Sequence, residues 1–282
     1  DGLLLHPPHP HPQTAPTIRT PSNSPQINFV TFASDETKCE LQRLLDSAAH
    51  FNITMTILGS GVQNWKNGYK LRILNEYAAS ISGNTLIVVV DGYDVVLSGS
   101  PAEFYDRFVS LTTTTTTTKK HNSIVFQADY TFYCPLNDMT ISRDMVTDYP
   151  PAPTIYRYLS SGGIMGRAKD IHSFISDVLN KYEDENWETR SDQSLFIRWL
   201  VDDSKETACR GEGTKLIVDH YQTLFSGNGG RLNKDYEVVD GRLHNTATDS
   251  YPVMFHAPGR AKFQHEMYKL LNSSWNNNFR VC

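Results

Sequence analysis

Short apolar runs alternate along the chain with segments whose apolar residues recur at helical spacing, a pattern that predicts repeated strand–helix units. Ile27–Ala33 reads as a strand, with Ser34 or Asp35 as the N-cap of a helix that presents Leu41, Leu44, Leu45 and Ala48 on one face. Thr54–Leu58 reads as the next strand, and Lys70–Ala79 as a helix carrying Leu71, Ile73, Leu74 and Tyr77. Leu86-Ile87-Val88-Val89-Val90 has the continuous β-branched character of a strand buried on both faces. Ser100-Pro101-Ala102-Glu103 then combines a Ser cap, a first-turn Pro and a Glu three residues on, and predicts a helix through Phe104, Phe108 and Leu111. Ser123–Gln127, Lys215–Val218 and Pro252–Phe255 are further strands; Ala168–Tyr182 and Gln193–Val201 are helices. Tyr236–Leu243, with Asp240-Gly241 inside it, reads as a hairpin. The expected fold class is α/β: one domain over residues 27–282, with a mixed, mostly parallel central sheet flanked by helices.

Composition changes this picture only at the edges. Residues 1–26 are a Pro/His-rich mixture with little to bury, and are expected to form an extended, disordered leader. The run Thr112–Thr118, followed by Lys119-Lys120, has no apolar alternation and predicts an exposed loop insertion over residues 112–120. A net charge of −5 argues against nucleic acid as a partner. No apolar run approaches the roughly 20 residues that a membrane-spanning helix needs. Leu3-Leu4-Leu5 is too short for a secretory signal, and a start without Met suits a chain whose targeting segment has been removed. Cys39, Cys134, Cys209 and Cys282 show no Cys-x-x-Cys spacing, which argues against a zinc ribbon and leaves disulfide pairing open. Asn52-Ile53-Thr54 and Asn272-Ser273-Ser274 are glycosylation acceptors if the chain enters the secretory pathway.

The candidate chemistry begins where the most apolar strand ends, at Asp91-Gly92-Tyr93-Asp94. Open α/β sheets place ligand sites at the C-terminal ends of their strands, and two carboxylates there suit a hard divalent cation that also holds a diphosphate. A polar turn closing the strand is the alternative. Ser160-Ser161-Gly162-Gly163 lets backbone approach a ligand closely, or makes a plain turn. Asp192, in Ser191-Asp192-Gln193, is either a helix cap or a carboxylate facing substrate. His256, ending Pro252-Val253-Met254-Phe255-His256, is either a strand-end residue or a metal ligand, with Gly259 and Lys262 following.

These pieces stand in the order of a nucleotide-sugar transferase of the GT-A type. From about Ile27 to Leu270 the chain resembles the glycosyltransferase domain of the procollagen lysyl hydroxylase/glycosyltransferase family. The resembling stretches include Val30 to Thr37, Tyr69-Lys70-Leu71-Arg72, Val90-Asp91-Gly92-Tyr93-Asp94-Val95, Arg157 to Gly163, Asp192-Gln193, Val218-Asp219-His220, and Pro252 to His256 with Gly259 and Lys262. The resemblance implies a GT-A-like, Rossmann-type domain that uses Mn²⁺ or Mg²⁺ and a UDP-sugar, UDP-glucose or UDP-galactose. The implied acceptor is a hydroxyl on a glycan or glycoprotein, collagen-like hydroxylysine or its galactosyl derivative, in the secretory pathway. By position, Asp91, Asp94 and His256 would hold the metal. Thr31, Trp65, Lys70 and Tyr93 would lie on the nucleotide side, and Ser161, Gly162, Gln193, Gly259 and Lys262 along the donor. Asp192, then Asp129, would be the catalytic carboxylates, and a retaining outcome is implied. The chain departs from the family at His256-Ala257-Pro258-Gly259, where relatives carry His-Gly-Asn-Gly. It departs again in Thr189-Arg190-Ser191, which replaces a longer acidic run, and in the Trp-less loop Tyr130 to Pro135. All three lie on the sugar and acceptor side. They motivate the alternative of a non-catalytic domain that binds nucleotide-sugar or glycan without turnover.

Overall fold

The computed structural model describes residues 26–113, 123–132, 147–183, 186–206, 215–227 and 231–258. Nearly all of the leader, Thr114–Thr118 with the following lysines, Cys134, Cys209, Cys282, the Asn272 sequon, Gly259 and Lys262 fall outside them. Strands β1 (Ile27–Phe32), β2 (Met55–Leu58), β3 (Leu86–Asp91), β5 (Ser123–Asp129), β6 (Tyr158–Arg167) and β7 (Lys215–Asp219) form one sheet in the order β2-β1-β3-β6-β5-β7. Every pairing in it is parallel except those of β6, which runs against both β3 and β5. The expected α/β class, with a mixed and mostly parallel sheet, is what the chain forms.

Alternation along each strand decides which helices cover which face. Val30, Phe32, Ile87, Val89, Ile124 and Phe126 point to the side covered by α2 (Tyr69–Ser80), α4 (Ala168–Lys181) and α5 (Asp192–Glu206). Phe126, Phe174 and Phe196 pack there with ring centres 5.3–5.8 Å apart, each burial worth about 1.5–3 kcal/mol. Phe29, Val88, Val90 and Val125 point to the other side, under α1 (Cys39–His50) and α3 (Pro101–Thr113). That second layer also holds a small sheet of β4 (Val95–Leu97), β11 (Met254–His256) and β8 (Phe225–Gly227), in the order β4-β11-β8. A short helix, α6 (Leu232–Asp235), leads into the hairpin β9 (Tyr236–Val239) and β10 (Arg242–Asn245).

Local signals fare unequally. The hairpin forms as expected, with positive φ at Asp240 (49°) and Gly241 (75°), the backbone of a type I′ turn. The capping box forms too: Ser100 N–H donates to Glu103 Oε2 at 2.9 Å, and Glu103 N–H to Ser100 Oγ at 3.4 Å. The expected cap at Ser34 or Asp35 is corrected, because α1 begins later, with Lys38 O accepting from Leu41 and Gln42 N–H. Asp35 Oδ1 instead accepts from Thr37 N–H and Oγ1–H, a local turn that competes with helix initiation. The threonine run is not wholly loop, since α3 continues through Thr113. The plain-turn alternative for Ser160-Ser161-Gly162-Gly163 is also corrected: all four lie inside β6.

Candidate active site

The sheet's topology assembles the site. Beyond Asp91 the chain turns through Gly92, Tyr93 and Asp94 and enters β4. A side chain at position 92 would put its Cβ 2.3 Å from Phe32 O, so only glycine permits this close return past β1. Asp91 and Asp94 therefore bracket a tight turn at the C-terminal edge of the sheet. In the small sheet His256 pairs opposite Val95, and Ala257 N–H donates to Asp94 O at 2.9 Å. This pairing brings a residue from the far end of the described chain onto the carboxylates.

Asp91, Asp94 and His256 each offer a ligand atom, and these atoms lie within 4.8 Å of one another. His256 Nε2 is 3.4 Å from Asp94 Oδ2 and 3.7 Å from Asp91 Oδ2. It is buried and makes no hydrogen bond. The other ring nitrogen, Nδ1, meets the Gln127 side-chain amide at 3.1–3.2 Å, which fixes the ring and aims Nε2 at the carboxylates. Burial lowers the imidazole pKa, but Asp94, Asp91 and Asp129 outweigh it, and the net shift is upward. Burial pushes the Asp91 carboxyl upward as well, against the pull of Lys70. A buried nitrogen without a hydrogen-bond partner beside two acids is a donor set that suits a divalent cation.

Gly162 makes this packing possible. At Phe126/Gln127 the β5–β6 register shifts, leaving Ser161, Gly162 and Gly163 without partners on β5. A Cβ on Gly162 would lie 2.2 Å from both Cε1 and Nδ1 of His256. The glycine expected along the donor therefore seats the histidine.

Lys70, in the first turn of α2, reaches into the same cluster. Its Nζ is 2.5 Å from Asp91 Oδ1 and 3.6 Å from Asp192 Oδ2, with the side chain 15 % exposed. Burial lowers the ammonium pKa, but Asp192 and Asp91 outweigh it and hold the group charged. Asp192 opens α5 and is buried. It stands at the helix start as the cap reading expected, yet Ser191 O is what accepts from Leu195 N–H. Its carboxylate joins the Lys70 cluster. Gln193 Oε1 accepts from Ser161 N–H at 3.3 Å, tying α5 to β6. Phe32, Lys70, Ser161, Asp192 and Phe196 line a narrow cleft between these elements.

The remaining expected residues divide. Asp129 ends β5, is buried, and accepts from Thr131 N–H at 3.1 Å; burial pushes its carboxyl upward. Tyr93 is half-buried over the β1–α1 loop, where its hydroxyl exchanges hydrogen bonds with Asp35 backbone N and O at 3.1 and 3.2 Å. Lys38 Nζ sits 4.3 Å above its ring. Trp65 packs between the end of β1 and the start of α2, 6.4 Å from the rings of Phe32 and Tyr69. Thr31 is fully buried, and its hydroxyl donates to Val90 O at 3.0 Å rather than standing open to a nucleotide. It serves as a strut beneath the Asp91 turn. Gln127 was missed, although an amide inside the apolar run Ile124-Val125-Phe126-Gln127-Ala128 is itself a signal of a buried polar role.

The PLOD GT domain family matches residues 23–280. The chain is 30% identical over 275 residues to the human protein "Multifunctional procollagen lysine hydroxylase and glycosyltransferase LH3", covering 93% of this chain and 33% of that protein. It is 26% identical over 255 residues to human "Procollagen-lysine,2-oxoglutarate 5-dioxygenase 1", covering 85% and 31% respectively. It thus spans about a third of the length of these relatives. Among solved structures, a glycosyltransferase involved in the glycosylation of the major capsid of PBCV-1 is similar at 12% identity. That comparison has a TM-score of 0.49 and covers 87% of this chain and 100% of the other.

Proposed function

Because the chain belongs to the PLOD glycosyltransferase-domain family, we propose that it transfers a hexose from UDP-glucose or UDP-galactose to an acceptor hydroxyl, with a divalent ion at Asp91, Asp94 and His256. The observation that carries this reading is the cluster itself: three ligand atoms within 4.8 Å, one of them a buried Nε2 without a hydrogen-bond partner. Bound Mn²⁺ or Mg²⁺ would act as a Lewis acid on the diphosphate leaving group. Lys70, paired with Asp91 and Asp192, would direct its ammonium toward the diphosphate once the ion takes up the charge of Asp91. Tyr93 and Trp65 flank the nucleotide side, and Ser161, Gly162 and Gln193 the donor sugar. Asp192 is the first candidate for steadying positive charge at the anomeric carbon or taking the acceptor proton, and Asp129 is the second. The family resemblance further supports a retaining outcome, a hydroxylysine- or galactose-bearing protein acceptor, and residence in the secretory pathway.

Asp94→Ala tests the reading. The variant is expected to stay folded, judged by circular dichroism, and to lose Mn²⁺-dependent release of UDP from UDP-sugar. Undiminished release would overturn the metal assignment. One observation favours a second reading, a nucleotide-sugar-binding domain without turnover. Ala257 and Pro258 follow His256 with no side-chain amide, and the Ala257 N–H is taken by Asp94 O. Proline adds no donor. If the wild type binds UDP-sugar with Mn²⁺ yet never forms free UDP, this second reading stands.

A further inference from the structure

Four large hydrophobic side chains are exposed among the described residues, and three lie on segments that meet the same edge of the sheet. Tyr130 (42 %) follows β5, Tyr221 (54 %) follows β7, and Ile155 (43 %) lies in the segment entering β6. β5 and β7 pair in parallel up to Gln127↔Asp219, so both tyrosines stand at the same C-terminal edge, with Asp129 one residue before Tyr130.

Side-chain contacts link the segments that carry these residues. The Arg231 guanidinium lies 4.5 Å from the Tyr130 ring centre. Arg231 is gripped by Asp235 through both Nε and Nη2, the latter at 2.8 Å from Oδ1. Asp235 also accepts from Tyr156 O–H at 2.8 Å, and His220 Nδ1 bonds Tyr156 O at 2.8 Å. That places the 154–156 segment against the turn bearing Tyr221. Phe132 anchors the loop after Tyr130 by turning inward onto Tyr158 and Tyr149, at 5.2 and 6.4 Å. Tyr130 is left facing out.

The chemistry of this surface narrows its occupant. Arg231 is matched in charge by Asp235, so the cation behind Tyr130 offers no net charge to an anion. What is presented is two phenol faces rimmed by hydroxyls, amphipathic in the way a pyranose is, with its C–H face and ring of hydroxyl groups. We propose that Tyr130 and Tyr221 form a platform for a neutral sugar ring of the acceptor, delivering its hydroxyl toward Asp129. The platform rests on the transferase reading and adds to it what part of the acceptor the protein holds.

The test is binding of methyl β-galactopyranoside and methyl β-glucopyranoside to protein loaded with Mn²⁺ and UDP, followed by NMR. Tyr130→Ala and Tyr221→Ala should each raise the Kd of at least one glycoside about fivefold, the scale of a lost aromatic contact. Tyr130→Phe, which keeps the ring, should stay within about twofold of wild type. UDP affinity and the melting temperature should hold in all three variants, which excludes misfolding. Unchanged glycoside binding in both alanine variants overturns the platform. So does a loss confined to an unglycosylated hydroxylysine peptide, which would make the surface a polypeptide dock. Failure of the transferase reading is distinguishable, because it appears in the wild type as absent Mn²⁺-dependent UDP release whatever these variants do.

Discussion

The two ends of the sheet's C-terminal edge are built from opposite materials. At the β1–β3 end, Asp91, Asp94, Asp192, Lys70 and His256 crowd together as charges, with a buried Nε2 left without a hydrogen bond. At the β5–β7 end, buried groups satisfy one another. Gln222 Oε1 accepts from Asn245 Nδ2 at 2.7 Å and from Tyr236 O–H at 2.5 Å, while Gln222 Nε2 donates to Gly227 O at 3.1 Å. Asp219 accepts from the backbone N–H groups of Thr223, Leu224 and Phe225. The first end leaves a buried ring nitrogen beside two carboxylates without a hydrogen-bond partner; in the buried network of the second these groups pair with one another. Substitutions at the first should therefore change metal binding, and substitutions inside the buried network of the second should change stability.

The largest expected effect is that of Gly162→Ala. Its methyl cannot coexist with the His256 ring, and overpacking of this kind costs about 1–3 kcal/mol. Mn²⁺ titration should show binding abolished, with the thermal midpoint lowered by several degrees. Intact Mn²⁺ affinity would mean that the metal end is as pliable as a surface loop. Next comes Gln127→Ala, which frees the His256 ring to rotate. Loss of such a ligand-orienting bond lowers metal affinity about 10–100-fold, and isothermal titration with Mn²⁺ reads it directly. At the other end, Tyr156→Phe removes a hydroxyl donated to Asp235 and should cost about 1 kcal/mol of unfolding free energy in urea. Mn²⁺ affinity should not move; a large change would erase the contrast between the ends.

The smallest effect concerns pH. His244 on the hairpin places Nδ1 3.0 Å from Glu237 and Nε2 2.9 Å from Asp249. Its limited burial lowers the pKa, but the two carboxylates outweigh that and raise it. A raised histidine pKa contributes stability that is fully present below the unfolded value of about 6.5 and disappears as pH rises through the folded value. Solvent screening limits this to a few tenths of a kcal/mol. Urea midpoints should fall slightly between acidic and mildly alkaline pH in the wild type, and His244→Gln should flatten that difference.

Much of this was legible in the chain. The Leu86–Val90 run, the helical faces of α1 and α4, the Ser100–Glu103 box and the Asp240-Gly241 turn are all set by neighbours within a few residues. The Asp91, Asp94 and His256 set was reached through family resemblance, and the structure brings those three together. Thr31, Gln127 and Gly162 show where that route ends. Each was a polar or small residue on a strand, and its role depends on which strand lies beside it.

The sequence by itself determined most of the elements, because β-branched runs, helical periodicity and caps act over short separations, whereas β4, β6 and β8 became strands only through their neighbours. It also determined that two carboxylates close the most buried strand. Only the tertiary structure decided what those carboxylates meet. Antiparallel pairing of β4 with β11 sets His256 opposite Val95, and the absence of a side chain at Gly162 leaves room for its ring. The α2–β3 packing swings Lys70 onto Asp91 across 21 residues of chain. The physical reason is that side-chain partners are chosen by strand pairing and helix docking between distant segments, and no local pattern in the chain encodes the distance at which they finally stand.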